Sequence, residues 1–318
     1  MRQRELMRYL LAVDLGGTNL RVALADDAGT VHHEVRVPTM PAAGPAVVIE
    51  TIVACLAEAR AAAPRGVALT GIGIGSPGPL DPFNGVIFNM PNLPGWERVP
   101  LRALLEERTG LSVELGNDAN AAALGEWFFG AGRGRRHLVY VTISTGIGGG
   151  VICDGRLLLG HHGAAAEVGH HLIDANTRQS WEDLAAGPAL GRAASAALAA
   201  HPASALHRYA RDGQVSAGDV SRAAAAGDAL AQRLMDREGD LIGVGLVNML
   251  NLYSPELIVL GGGVALNNPG LLERARTVIV ERAFEVYRSV PVTLAALGDR
   301  AGILGAVALF IHMREARH

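Results

Sequence analysis

The run Gly116–Glu126, GNDANAAALGE, sets Asn117, Asp118 and Asn120 where an apolar strand-like stretch, LSVEL, hands over to an alanine-rich helical stretch. These residue types have two uses at such a junction. Their side-chain oxygens accept well from the free N–H groups of a helix's first turn, so capping alone accounts for them. A carboxylate there can also take the proton of an attacking hydroxyl. Three glycine turns add a second kind of chemistry: DLGGTN (14–19), STGIGGG (144–150) and LGGGVA (260–265), each after an apolar strand. Glycine lets a backbone approach a bulky anion, and successive N–H groups in such turns can cradle one. Thr18 and Thr145 add hydroxyl donors, and Asp14 offers a carboxylate for Mg²⁺. One such turn alone reads as a hairpin bend. Three, two of them in matching positions, point to phosphate. None is a G-x-G-x-x-G between a strand and a helix, which disfavours a dinucleotide.

The elements that must position these groups follow from pattern. LLAVDLGG, LRVALADDAG and VHHEVRVP read as successive strands, AVVIETIVACLAEARAAA as a helix, and GVALTGIGIGSPG as a further strand. The proline-rich NMPNLPGWERVP excludes a regular element, LRALLEERTG is a helix ended by Gly110, and LSVEL is a strand. From HLVYVTISTGIGGGVICDG the strand–turn–strand idea of the N-terminus starts again, so an internal duplication is expected. Helices dominate from Trp181 to Leu252, PELIVLGGGVA is a strand with its turn, and AGILGAVALFIHMREA is a closing amphipathic helix. The alternation argues for an α/β protein of two lobes, 1–118 plus 303–318 and 119–302.

Composition narrows the function. The chain has 318 residues, 49% hydrophobic and 19% charged, with a net charge of −3. No basic stripe is evident, so nucleic acid is not an expected partner. All 28 basic residues are arginine, which rules out the lysine-bearing G-x-x-x-x-G-K-[ST] phosphate loop. Cys55 and Cys153 stand far apart, giving neither a disulfide scaffold nor a cysteine-built zinc site. The N-terminal apolar run is too short to span a membrane and runs straight into a glycine turn. A cytoplasmic protein with no membrane partner is therefore expected.

AVDLGGTNLRVAL, GIGSPGP, NMPNLPGW, GNDANAAALGE, TISTGIGGGVI, AEVGHH and LGGGV occur in the order seen in ROK-family sugar kinases, and the chain resembles that family from about Leu11 to Gly305. The resemblance implies the two-lobed actin-like, ribonuclease-H-like ATPase fold. It also implies phosphorylation of a hexose by ATP with Mg²⁺, glucose favoured over fructose, mannose, allose or an N-acetylhexosamine, with polyphosphate as an alternative donor. It makes Asp118 the general base, with Asn117, Gly78, Asn92, Glu167, His170 and Glu182 around the sugar. The ATP phosphates fall to Asp14, Gly16, Gly17, Thr18, Asn19, Thr145, Gly146 and Gly148, and the adenosine to Gly261, Gly262 and Gly263. Mg²⁺ falls to Asp14. Homodimers or higher oligomers are common in the family.

The chain departs from the family at two places. Relatives carry a C-x-C-G-x-x-G-C-x-E stretch that binds structural zinc, where this chain has HHLIDANTRQSWEDL. Zinc is therefore not expected, and something else, Trp181 being the candidate, must fix the loop before Glu182. The histidines at 161, 162, 170 and 171 match no ligand spacing, and adjacent histidines in a strand would face opposite ways. Ala166 stands where many relatives have glycine. ROK repressors share the sugar-binding body but carry a helix-turn-helix domain, for which some nine residues before the first strand leave no room. A non-catalytic sugar-binding regulator is the remaining alternative to the kinase.

Overall fold

The computed structural model describes residues 7–88, 90 and 93–315. In chain order, strands β1 (Tyr9–Leu15), β2 (Asn19–Asp26) and β3 (Val31–Pro38) lead into helix α1 (Gly44–Ala61). Next come β4 (Leu69–Ser76), the short β5 (Leu80–Asp81) and β6 (Val86–Ile87), α2 (Leu101–Thr109), β7 (Val113–Asn117) and α3 (Asp118–Phe129). Strands β8 (Leu138–Ile143), β9 (Ile147–Cys153) and β10 (Arg156–Leu157) precede the helices α4 (Trp181–Ala185), α5 (Gly187–Ala197), α6 (Ala217–Ala225) and α7 (Ala229–Tyr253). Strand β11 (Leu257–Gly261), α8 (Gly262–Leu266), α9 (Gly270–Arg282), β12 (Val292–Leu294) and α10 (Ala301–Glu315) complete the chain.

Two five-stranded sheets result, ordered β3-β2-β1-β4-β7 and β10-β9-β8-β11-β12. Numbered within its own half, each sheet runs 3-2-1-4-5, so the expected duplication is present in the topology. In both, the central strand pairs antiparallel with the hairpin strand after it and parallel with the strand on its other side. The contacts divide the chain into one unit of residues 1–134, 157–165 and 296–318 and another of residues 135–156 and 166–295. This division differs from the expected boundary at 118/119. Helix α3 stays with the first unit because Gly125 lies against the backbone of Gly305 in α10, where any Cβ would meet it at 3.0 Å.

In the first unit, strand alternation sorts residues by size. Leu11, Val13 and Leu15 of β1, with Leu20, Val22 and Leu24 of β2, pack beneath Val48, Ile52 and Leu56 of α1. The opposite face carries Leu10, Ala12, Ala23 and Ala25 against Ile303, Ala306, Val307 and Phe310 of α10. Small residues there bring helix and sheet close: a Cβ on Gly73 would sit 1.9 Å from the Ala306 carbonyl oxygen. Helix α10 is buried without a break from Ile303 to Phe310 rather than amphipathic, since both the sheet and α3 cover it. Helix α1 is long and apolar enough to cross a membrane, and its inward face is part of this core.

One buried carboxylate ties the end of α3 to the segment that leads into α10. Glu126 is 0% exposed; its Oε2 accepts from Ala131 N–H and its Oε1 from Leu297 N–H, each at 2.8 Å. Glu126→Ala strands both donors and should cost about 2–4 kcal/mol, seen as a lower urea midpoint. Glu126→Gln keeps one acceptor and should lose about half as much. An unchanged midpoint in the alanine variant would show that these bonds contribute nothing.

Candidate active site

Strands β1, β4 and β7 are parallel, and their carboxyl ends bring Asp14 level with Gly75 and Gly75 level with Gly116, with Ser76 beside Asn117. The edge beyond the carboxyl ends of parallel strands is where open α/β sheets hold ligands. The capping question resolves there. Asn117 is the N-cap of α3, its Oδ1 accepting from Ala119 N–H at 2.9 Å and Asn120 N–H at 3.3 Å. Asp118 is the first helical residue and its Oδ1 accepts from Ala119 N–H at 2.8 Å. Capping is thus supplied next door. Gly78, which precedes a cis peptide bond to Pro79, lies against Asn117, where a Cβ would come 3.4 Å from Nδ2. Gly78, Asn117 and Asp118 are therefore brought together, whereas Asn92 falls outside the described residues.

The two carboxylates are electrostatically uncomfortable. Burial raises the Asp14 pKa from 3.8 to about 6; Arg21 opposes that rise and Asp118 adds to it. Packing against the first turn of α10 is the local reason, for a Cβ on Gly302 would stand 2.2 Å from Asp14 Oδ2. Asp118 is open to solvent by its accessible surface, yet protein encloses it closely enough that lost hydration raises its pKa, against the Ala119 N–H bond. Water reaches a carboxylate so placed while its affinity for a proton is enhanced. Both groups would be relieved by a divalent cation, so this donor set fits Mg²⁺.

The glycine turns are hairpin bends in two cases. Gly16 N–H donates to Asn19 carbonyl at 3.0 Å between β1 and β2, with Gly17 and exposed Thr18 at the tip. Ser144 N–H donates to Gly146 carbonyl at 2.8 Å between β8 and β9. Positive φ is not what the second turn requires of its glycines; close approach is. A Cβ on Gly146 would come 2.5 Å from Glu182 Oε2, and one on Gly149 would come 2.7 Å from Val168. In the third turn Gly261 ends β11, while Gly262, at φ 83°, and Gly263 open α8.

The second unit contains a cavity of about 980 Å³ that no motif announced. Thr145 and Gly263 line it, joined by Gly187, Arg192, Ser216 and Asn267 from separate segments. Such a volume suits a small-molecule ligand. Glu182 sits at the start of α4 with Oε2 accepting from Ile147 N–H at 2.7 Å, within the 144–150 turn. Glu167 and His170 bracket a single 3₁₀ turn, both exposed, with His170 N–H donating to Glu167 carbonyl at 3.1 Å. A helical face is replaced by one tighter turn, which still aligns residues three apart. His161 and His162 lie in a turn, not a strand, and their rings meet edge to face at 4.4 Å. Among the described residues no three His, Cys, Asp or Glu side chains gather as a metal site.

Two five-stranded sheets of the same strand order and pairing match the actin-like, ribonuclease-H-like ATPase fold of ROK kinases. Residues 10–313 match the sequence profile of the ROK family. The chain is 35% identical to a glucokinase of Thermotoga maritima, over 94% of this chain and 96% of that one. A ROK hexokinase from Thermus thermophilus superposes with a TM-score of 0.82 at 36% identity, covering 96% of this chain and 99% of its own. A ROK glucokinase from Streptomyces griseus, solved with glucose and AMPPNP, gives 0.78 at 32% identity, covering 95% and 98%. The chain belongs to the ROK family.

Two stability measurements test this geometry. From pH 3.8 to about 6 the folded chain holds a proton on Asp14 that the unfolded chain has released. Stability from this group therefore falls as pH rises through that window and stays lower above it. Asp14→Asn should raise the unfolding free energy at pH 7 by about 1–3 kcal/mol and leave it nearly unchanged at pH 4; an equal change at both pH values would contradict the assignment. Ala166 occupies the left-handed region at φ 67°, a conformation that favours glycine. Ala166→Gly should stabilise the fold by about 0.5–1 kcal/mol, and a destabilised variant would contradict the strain.

Proposed function

We propose that this protein transfers the γ-phosphoryl group of ATP to the 6-hydroxyl of a hexose, with glucose as the preferred acceptor. The observation that carries the reading is the Asp118 carboxylate, solvent-accessible, raised in pKa and relieved of capping by Asn117, in a chain related over most of its length to glucokinases. The sugar's 6-oxygen attacks the γ-phosphorus while Asp118 accepts its proton; the oxygen–phosphorus bond forms as the bond to the β-phosphate oxygen breaks, releasing ADP. Because a carboxylate is a weak base, most of the acceleration comes from alignment and from charge neutralisation.

In the first unit Gly78 and Asn117 position the sugar at Asp118, since a hydroxyl buried without a partner weakens binding. In the second unit the turn at 144–150, with the Thr145 hydroxyl, receives phosphate. The cavity lined by Gly263, Arg192 and Ser216 takes the nucleoside. Asp14 would hold Mg²⁺, which supplies neutralisation of phosphate charge when bound. Ile147 N–H is already engaged by Glu182 and is not offered to a phosphate.

A coupled ADP-release assay with MgATP across glucose, fructose, mannose and N-acetylglucosamine tests the proposal. Turnover should be highest with glucose. Asp118→Asn should lower kcat by roughly 10²–10⁴-fold while glucose still binds by calorimetry. A wild-type protein that binds glucose without turning over any sugar would be a sugar-binding regulator instead. Preference for another hexose would reassign the acceptor and keep the chemistry.

A further inference from the structure

The backbone at Gly78 is set from both sides. Upstream, Ser76 pairs with Asn117 in the β4–β7 register, which fixes where the chain leaves the sheet. Downstream the β5–β6 hairpin takes over: Leu80 and Ile87 are buried in the core, and Pro79 carbonyl accepts from Phe88 N–H at 2.9 Å. Asp81 orders the hairpin tip, its Oδ1 accepting from Phe83 N–H at 2.8 Å and Asn84 N–H at 3.1 Å. A displaced tip would therefore displace Gly78.

The tip is clamped by one arginine. Arg102, near the start of α2, donates from Nη1 to Phe83 carbonyl at 2.8 Å and from Nη2 to Pro82 carbonyl at 2.7 Å. Nη2 also lies 3.4 Å from Glu114 Oε2, and the two side chains are only 14% and 1% exposed. Glu114 sits on β7, three residues before Asn117. The ion pair thus joins the hairpin after Gly78 to the strand that delivers Asn117 and Asp118. Gly85 makes room for the arginine stem, since a Cβ there would come 2.2 Å from Arg102 Cβ. On the tip's other contact, a Cβ on Gly163 would stand 2.2 Å from Pro82 Cδ. The segment carrying Gly163 belongs to the same unit and is anchored by Leu157 N–H, which donates to His312 Nε2 at 3.2 Å.

Packing alone does not select this chemistry. Two charges have left water, and Arg102 Nε is buried with no partner among the described residues. An apolar pair of similar volume often fills such a space with no loss of stability. What an apolar pair cannot do is hold two successive carbonyls and a carboxylate at once, the task of a rigid guanidinium fork. We propose that Arg102, paired with Glu114, is a positioning residue for the hexose: it locks the β5–β6 hairpin to β7, so that the Gly78 backbone meets the sugar beside Asn117 and Asp118. The proposal rests on the reading of those three residues as the sugar site.

Glucose binding to the wild-type protein is measured first by calorimetry; no binding would overturn the sugar reading itself. Steady-state kinetics, glucose affinity and melting temperature then follow for Arg102→Lys, Arg102→Met and the double variant Arg102→Met/Glu114→Leu. Arg102→Met should raise the Kd and KM for glucose about tenfold, with the KM for ATP within about twofold of wild type. Arg102→Lys, which keeps the charge and loses the fork, should fall between wild type and Arg102→Met. The double variant removes the carboxylate left unpaired in Arg102→Met, so its melting temperature should return close to wild type. Its glucose affinity should stay about tenfold weaker, a separation that a merely structural role would not produce. Glucose affinity restored together with stability in the double variant would overturn the proposal. So would an unchanged glucose Kd in folded Arg102→Met, or an ATP KM raised as much as the glucose KM.

Discussion

The structure depends on a placement that costs it stability: two carboxylates, Asp14 and Asp118, at one edge of one sheet, with Asp118 adding to the rise in the Asp14 pKa. Nothing in the packing requires acid there. The cap of α3 is Asn117, and Asp14 stands level with Gly75 on a face otherwise lined by small residues. An arrangement that disfavours the charged form of both groups in the absence of ligand, yet retains them, is what a site for a cation and a proton in transit requires.

The rest of the first unit keeps that edge in register. Helix α10 approaches β4 so closely that Gly73 has no room for a side chain, and the first turn of α10 presses on Asp14 at Gly302. Helix α3 meets α10 at Gly125 and Gly305, so the element that begins with Asp118 is located by backbone contact. Close packing of this kind resists small shifts. It gives the carboxylates a position fixed by many contacts, none of which needs to involve the substrate.

Much of this was legible in the sequence. The alternation in LLAVDLGG and LRVALADDAG fixed both faces of the first sheet, and the repeated strand–turn–strand pattern foretold two sheets of one order. Local chemistry at GNDAN named capping as one of two candidate roles, and the structure gives that one to Asn117. Long-range contacts were not legible. The cavity gathers Thr145, Gly187, Arg192, Ser216, Gly263 and Asn267 from segments that carry no shared motif. The glycines of 144–150 read as room for a bulky anion, whereas Gly146 and Gly149 also lie against Glu182 and Val168 of the protein itself. The anchoring of α4 was half visible: Trp181 stood out as a candidate, but its seat on Gly245 and the bond from Asn248 to His171 come from a helix more than sixty residues away.

The most direct measurement is a crystal structure of the protein with glucose, AMPPNP and Mg²⁺, read at the sugar's 6-oxygen. The account predicts that oxygen within about 2.6–3.2 Å of an Asp118 carboxylate oxygen and facing the γ-phosphorus. A 6-oxygen held by another residue, with Asp118 left to water, would contradict it.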